Sequence, residues 1–181
     1  EIMPSLVGSE MCIRDSMIPL EQADGFPFHH IHATGSFGKE WMPQRVLDNG
    51  VDWKNCPALD IREYIYDMPT VMAAADIVIG RAGSATCNEI GASGTPCILI
   101  PSPNVTNNHQ EKNARVLEAA GGAVVVLEKD CTPGMLYELI CSLLADEDRR
   151  REMSRKLHTM VRLDSAERIC DIVEQLTQSE K

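Results

Sequence analysis

From Phe28 onward, short continuous apolar runs alternate with longer stretches whose apolar residues recur at helical spacing. FPFHHIHATG predicts a strand over 28–33 that ends in a glycine turn, and the pattern over 39–48 predicts a helix stopped by Asn49-Gly50. A short strand is expected over 58–61 and a helix over 69–75, with Pro69 in its first turn. DIVIG (76–80) and PCILIP (96–101) read as buried strands, with a helix over Ser84–Ser93 between them that Gly94 stops. SPNVTNN reads as a loop. A helix over 109–120 follows, then Gly121-Gly122 and the strand AVVVLE (123–128). Three helical stretches close the chain, from Thr132-Pro133 to about 144, over 147–160 and over 165–178.

Apolar strands bounded by Gly or Pro and alternating with helices predict an α/β fold. It is a Rossmann-like parallel sheet with helices on both faces. The helical, charged C-terminal stretch is expected to pack on the outside of that sheet. There is no internal repeat, low-complexity tract or linker in the sequence, and no apolar run approaches the ~20 residues needed to span a bilayer.

Composition narrows the chemistry. The chain has 181 residues, 44% of them hydrophobic but only 4% aromatic, so aliphatic side chains must fill the core. The net charge of −10 argues against a nucleic-acid partner. It leaves room for a local anion site built from backbone N–H groups. The seven Cys show neither C-x-x-C nor Cys/His metal spacing, and several sit in apolar runs. They read as reduced, buried thiols of a cytoplasmic protein. His29, His30 and His32 have no acidic or Cys partners at ligand spacing, so no metal site is expected.

The segment 1–16, EIMPSLVGSEMCIRDS, fits neither period. Leu6 to Ser16 matches the translation of a transposase adapter used in sequencing libraries. Residues 1–16 are therefore set apart as a non-native segment, and 17–181 as one domain.

In doubly wound sheets, ligands bind beyond the carboxyl ends of the strands. GRAGSATCNEIGASG falls there. Its small residues and helix start can hold a phosphate, with Glu89 one turn further in. Thr86-x-x-Glu89 fits a capping box equally well. In NHQEKNA, His109, Gln110 and Asn113 share the entry face of a helix and suit sugar hydroxyls. Composition favours the plainer reading, a helix start capped by Asn108. EYIYDM reads first as a core strand with a tyrosine rim, although its backbone could also meet the edge of a base.

The segment from Tyr64 to Val126, with R-x-G-x-x-T-x-x-E, E-I-x-A-x-G-x-P and H-Q-x-x-N-A in order, resembles the donor-binding half of the MurG family. These are the UDP-N-acetylglucosamine transferases that make lipid II for the peptidoglycan cell wall. The similarity runs from about His30 to the C-terminus. It implies the C-terminal half of a GT-B glycosyltransferase, a metal-independent, inverting hexosyltransferase peripheral on the cytoplasmic face of the plasma membrane. UDP-N-acetylglucosamine is a substrate of such an enzyme, and no cofactor is implied. By position, the Ile65 backbone would read the uracil and Glu89 would accept from the ribose hydroxyls. Ser84, Ala85 and Thr86 would face the diphosphate, while His109, Gln110 and Asn113 would hold the N-acetylglucosamine. Arg81 matches a family arginine.

The family's N-terminal domain, which binds lipid I, meets the membrane and carries the catalytic base, has no counterpart here, so no catalytic residue is assigned. The glycine loop and first strand that open the donor domain have none either. The fragment alone is expected to be inactive and poorly stable, with two strand edges exposed. Any order in residues 1–16 is expected in the place of that strand. Two other readings stand beside this one: the donor-binding subunit of a split transferase, and a GT-B glycolipid synthase using a UDP-sugar.

Overall fold

The computed structural model describes residues 2–5 and 28–179. Six parallel strands form one sheet in the order β3-β2-β1-β4-β5-β6. They are β1 (Ile2–Ser5), β2 (His29–Ala33), β3 (Leu59–Arg62), β4 (Val78–Gly80), β5 (Cys97–Leu99) and β6 (Ala123–Val125). The helices are α1 (Gly35–Gly38), α2 (Met42–Asp48), α3 (Met68–Ala74), α4 (Ser84–Ser93), α5 (His109–Ala119), α6 (Pro133–Ala145), α7 (Glu147–His158) and α8 (Ser165–Ser179).

Alternation along the strands builds a core on each face. Ile77, Ile79, Ile98 and Ile100 point to one side, where they meet Leu136, Ile140 and Leu143 of α6 and Met153 of α7. Val78, Cys97 and Leu99 point to the other, against Val71 and Met72 of α3, Ile90 of α4, and Ala114 and Leu117 of α5. Both faces are covered, which is why these strands lack polar positions.

Glycines set how closely α7 approaches. A Cβ built on Gly122 would lie 2.5 Å from Leu157 Cδ2 and 2.6 Å from its Cγ, and one on Gly91 would overlap Val161. Gly94, at φ +68°, ends α4 in the left-handed conformation and leaves space for the His158 ring.

Four details depart from the sequence expectation. The helix expected over 39–48 begins at Met42, with Pro43 in its first turn, after a separate turn at Gly35–Gly38. Within the expected 102–108 loop, Thr106–Asn108 forms a 3₁₀ turn, with Asn107 and Asn108 at φ 56° and 52°. Helix α7 packs on the domain, but α8 does not. Its stripe of Ile169, Ile172, Val173 and Leu176 stays exposed, so the expectation that the whole C-terminal stretch packs on the sheet is met by α7 alone.

The fourth departure is at the sheet centre, where the two exposed strand edges expected there are not found. Ile2–Ser5 takes the place expected for any order in residues 1–16, pairing along its length with β2 and through Ser5↔Ile79 with β4. Strand pairing uses main-chain groups, so an unrelated sequence can supply it. Pro4 lacks an N–H and is a poor residue for a central strand. Residues 6–16 of the segment set apart lie outside the described residues.

Candidate functional site: a cleft at the carboxyl ends of the strands

Parallel strands bring the turns after β2, β3 and β4 to one edge of the sheet, and there they enclose a cleft of about 430 Å³. Ala33 and Gly35 come from the end of β2, and Glu63, Tyr64 and Ile65 from the turn after β3. Met68 opens α3, and Thr86 and Glu89 stand on the first turns of α4. Ile65 buries its side chain in the core, so what it offers the cleft is main chain. Its N–H and C=O take no part in the backbone hydrogen bonds recorded among the described residues.

The start of α4 is open. Its N-cap is Gly83, which has no side chain to offer, and the first helical backbone bond outside is Cys87 N–H to Gly83 O at 2.9 Å. The N–H groups of Ser84, Ala85 and Thr86 are thus the unsatisfied donors of a helix N-terminus. Thr86 lies inside the helix rather than at its cap, so the capping-box reading of Thr86 and Glu89 does not hold. Glu89 is exposed and faces the cleft. Cys87 is in the same turn, but burial raises its thiol pKa, so it is a packing residue and not a nucleophile.

Helix α5 joins the site by a different route. Asn113 Nδ2 donates to Ala82 O at 3.1 Å, linking α5 to the residue before Gly83. Gln110 Oε1 accepts from Ser102 N at 2.8 Å, and His109 Nδ1 lies 2.9 Å from Thr106 O. Asn108 makes no cap bond; its side chain donates to Glu111 Oε2 at 2.5 Å. Asn108 thus holds the N-cap position that the plainer reading expects, but without a side-chain cap bond. The cleft brings together Ile65, Thr86 and Glu89 of the residues singled out from sequence. Ser84 and Ala85 sit at its helix start, and His109, Gln110 and Asn113 stand beyond its lining on the neighbouring helix.

The structure also gives Arg81 a task. The side chain is buried, donates to Ile100 O at 2.8 Å and pairs with Glu128 at 2.6 Å. It ties together the chain ends that follow β4, β5 and β6, and so fixes where α4 begins.

The glycosyltransferase family 28 C-terminal domain matches residues 12–171. The chain belongs to that family. Strand β1 lies outside the match. The UDP-N-acetylglucosamine–N-acetylmuramyl-(pentapeptide) pyrophosphoryl-undecaprenol N-acetylglucosamine transferase of Acetivibrio thermocellus is 40% identical over 84% of this chain and 40% of its own length. The protein of the same name from Thermoanaerobacter sp. strain X514 is 47% identical over 80% of the chain and 39% of its own. The chain thus spans about two-fifths of these relatives. The crystal structure of Acinetobacter baumannii MurG superposes with a TM-score of 0.77 at 22% identity, over 96% of this chain and 49% of that one, which shows a shared fold.

Family 28 membership leaves the individual contacts to be read from geometry. Sequence reasoning missed Ala33, Gly35, Glu63, Tyr64 and Met68 as cleft residues. Their signal was topological: each ends or follows a strand, or opens a helix, at the carboxyl-end edge of the sheet. The expected core strand at EYIYDM is not met: β3 ends at Arg62, residues 63–67 form a turn, and Met68 opens α3. Glu63 pairs with Lys39 Nζ at 3.1 Å, which joins the turn after β3 to the end of α1. Among the described residues, no group of three or more His, Cys, Asp and Glu is placed to hold a metal ion, and no helix is long and apolar enough to cross a membrane.

Proposed function

We propose that this chain binds UDP-N-acetylglucosamine as the donor half of an inverting, metal-independent transferase that converts lipid I to lipid II in peptidoglycan synthesis. One observation carries the reading: Ile65, Thr86 and Glu89, from three separate elements, line a single cleft beside the open N-terminus of α4. The parts suit a nucleoside diphosphate. Main chain at Ile65 can meet the donors and acceptors of a uracil edge. The Glu89 carboxylate is acceptor-only and matches the donors of a ribose diol. The N–H groups at Ser84–Thr86 match phosphate. Gln110 and Asn113 lie one helix over, where a sugar beyond the phosphates would fall, with His109 beside them. The names of the curated relatives support this donor and this reaction.

No catalytic base is assigned within the chain. Lipid I recognition and contact with the cytoplasmic membrane face are proposed to lie in the part of the relatives this chain does not span, so the chain alone binds donor without turnover. Calorimetric titration with UDP-N-acetylglucosamine tests the reading. Glu89→Ala should weaken binding by ~10-fold or more, the loss of charge-assisted hydrogen bonds worth about 1.5–3 kcal/mol. Unchanged affinity counts against the ribose role, and absence of binding by the parent chain against the function. Transfer to lipid I by the purified chain would refute the inactivity.

Residues 1–16 are proposed to be foreign to the gene, with Ile2–Ser5 standing in for a native strand. The match to an adapter and Pro4 in a central strand support this; the family match begins at residue 12, so it excludes β1 but overlaps residues 12–16. Reading the same 16 residues from the gene in adapter-trimmed data would overturn it.

A further inference from the structure

Helix α5 reaches the start of α4 through one side chain. Asn113 Nδ2 donates to Ala82 O at 3.1 Å, across 31 positions of sequence. Ala82 is fully buried, so water cannot replace that donor. No backbone bond recorded among the described residues ends on its carbonyl. The next residue is Gly83, the N-cap of α4, at φ −64° and ψ 153°. A glycine there offers little resistance to rotation of the peptide before it. The Ala82–Gly83 peptide is therefore oriented from outside, by Asn113. A trans peptide points its C=O and N–H in opposite directions, so drawing Ala82 O toward α5 aims the Gly83 N–H away from α5. Arg81, one residue earlier, is held by Ile100 O and Glu128. The chain is thus gripped at two successive residues just before a helix whose first N–H groups are open.

We propose that Asn113 is a positioning residue for the diphosphate, acting through main chain: it orients the Ala82–Gly83 peptide and with it the N–H groups at Gly83–Thr86. The inference rests on the donor-binding reading above and gives Asn113 a task separate from the sugar. Its donor half is committed to Ala82, so only its Oδ1 is left to meet a sugar hydroxyl. Without the amide, a buried carbonyl lacks its donor. The peptide then turns to find another, and the Gly83 N–H turns with it. Loss of one such hydrogen bond corresponds to UDP binding weakened by roughly 3- to 10-fold.

The test titrates the full chain and its Asn113→Ala and Asn113→Ser variants with UDP and UDP-N-acetylglucosamine by calorimetry, and follows bound UDP by NMR. Both variants should weaken UDP by that factor and UDP-N-acetylglucosamine by at least as much. At saturating UDP, the phosphorus shifts of the diphosphate should move toward those of free UDP, while the uracil proton shifts stay those of the parent complex. Weakening of UDP-N-acetylglucosamine alone makes Asn113 a sugar contact and overturns the proposal while the donor-binding reading stands. Unchanged phosphorus shifts, equal movement of phosphorus and uracil signals, or loss of the folded circular-dichroism spectrum in both variants makes Asn113 a packing residue and overturns it as well. A parent chain that does not bind UDP overturns both readings.

Discussion

The packing of α7 against the turn before β6 makes a quantitative prediction. Leu157 is fully buried, and its side-chain tip occupies the space that a Gly122 Cβ would need, at 2.5 and 2.6 Å. Gly122 is not in the left-handed region, so Gly122→Ala adds no backbone strain. It should instead lower the entropy of the unfolded chain and stabilise by ~0.4–1 kcal/mol. The overlap opposes this with the cost of an added methyl in a filled core, about 1–3 kcal/mol. The net expectation is a destabilisation of about 0.5–2 kcal/mol. Leu157→Ala alone should cost about 2–5 kcal/mol through lost burial and a cavity. In that background the methyl added at position 122 has room, and Gly122→Ala becomes neutral or stabilising. Urea unfolding followed by far-ultraviolet circular dichroism on the four proteins closes the cycle, with an expected coupling of ~1–3 kcal/mol. Additivity within ~0.5 kcal/mol would refute the reasoning, because it would mean that the two groups do not share that space.

The remaining predictions concern the strand ends and the thiols. Arg81→Ala removes a buried hydrogen bond and an ion pair with a partly exposed partner. It should cost about 2–4 kcal/mol in urea unfolding and weaken UDP binding as α4 loosens, whereas a loss under ~1 kcal/mol would show that the three strand ends are held by other means. Cys97 and Cys87 are held above the usual thiol range, mainly by burial. Both thiols ionise earlier when unfolded, so the unfolded chain binds fewer protons above pH ~9 and stability should fall as pH rises from there. A flat urea midpoint between pH ~8 and ~10 would contradict that. Exposed Cys170 should react with maleimide well before either in the native protein; prior labelling of Cys97, read by peptide mass, would overturn its burial. Gln110→Ala frees the Ser102 N–H and removes an amide proposed to meet the sugar, so it should weaken UDP-N-acetylglucosamine more than UDP in paired titrations; equal effects would place Gln110 outside the sugar region.

The apolar run DIVIG and the run PCILIP could be recognised as strands because both faces of a covered parallel strand exclude polar residues. The helix Ser84–Ser93 could be bounded because Gly83 and Gly94 mark its ends locally. Such features depend on near neighbours, and a single sequence displays them. The tie between Arg81, Ile100 and Glu128 depends on distant parts of the chain meeting, and nothing in the residues around Arg81 announces its partners. The same holds for Gly122, whose neighbour Gly121 marks a turn by its positive φ, while Gly122 itself is set by Leu157 in a later helix.

The candidate site divides along the same line. Glu89, Thr86 and the small residues at Ser84–Thr86 were visible in one motif, since a helix start that follows a strand is a local arrangement. That Ile65, Tyr64 and Glu63 share a cleft with them was decided by sheet order, which places β2, β3 and β4 so that their carboxyl-end turns converge. The sequence alone also determined that Thr86-x-x-Glu89 could be either a cap or a ligand contact. Only the helix start at Ser84, with Gly83 as its cap, removed the first option. Local rules choose the elements of this protein. Which side chains meet is chosen by the order of strands in the sheet, because contacts far apart in sequence form only when the whole sheet closes.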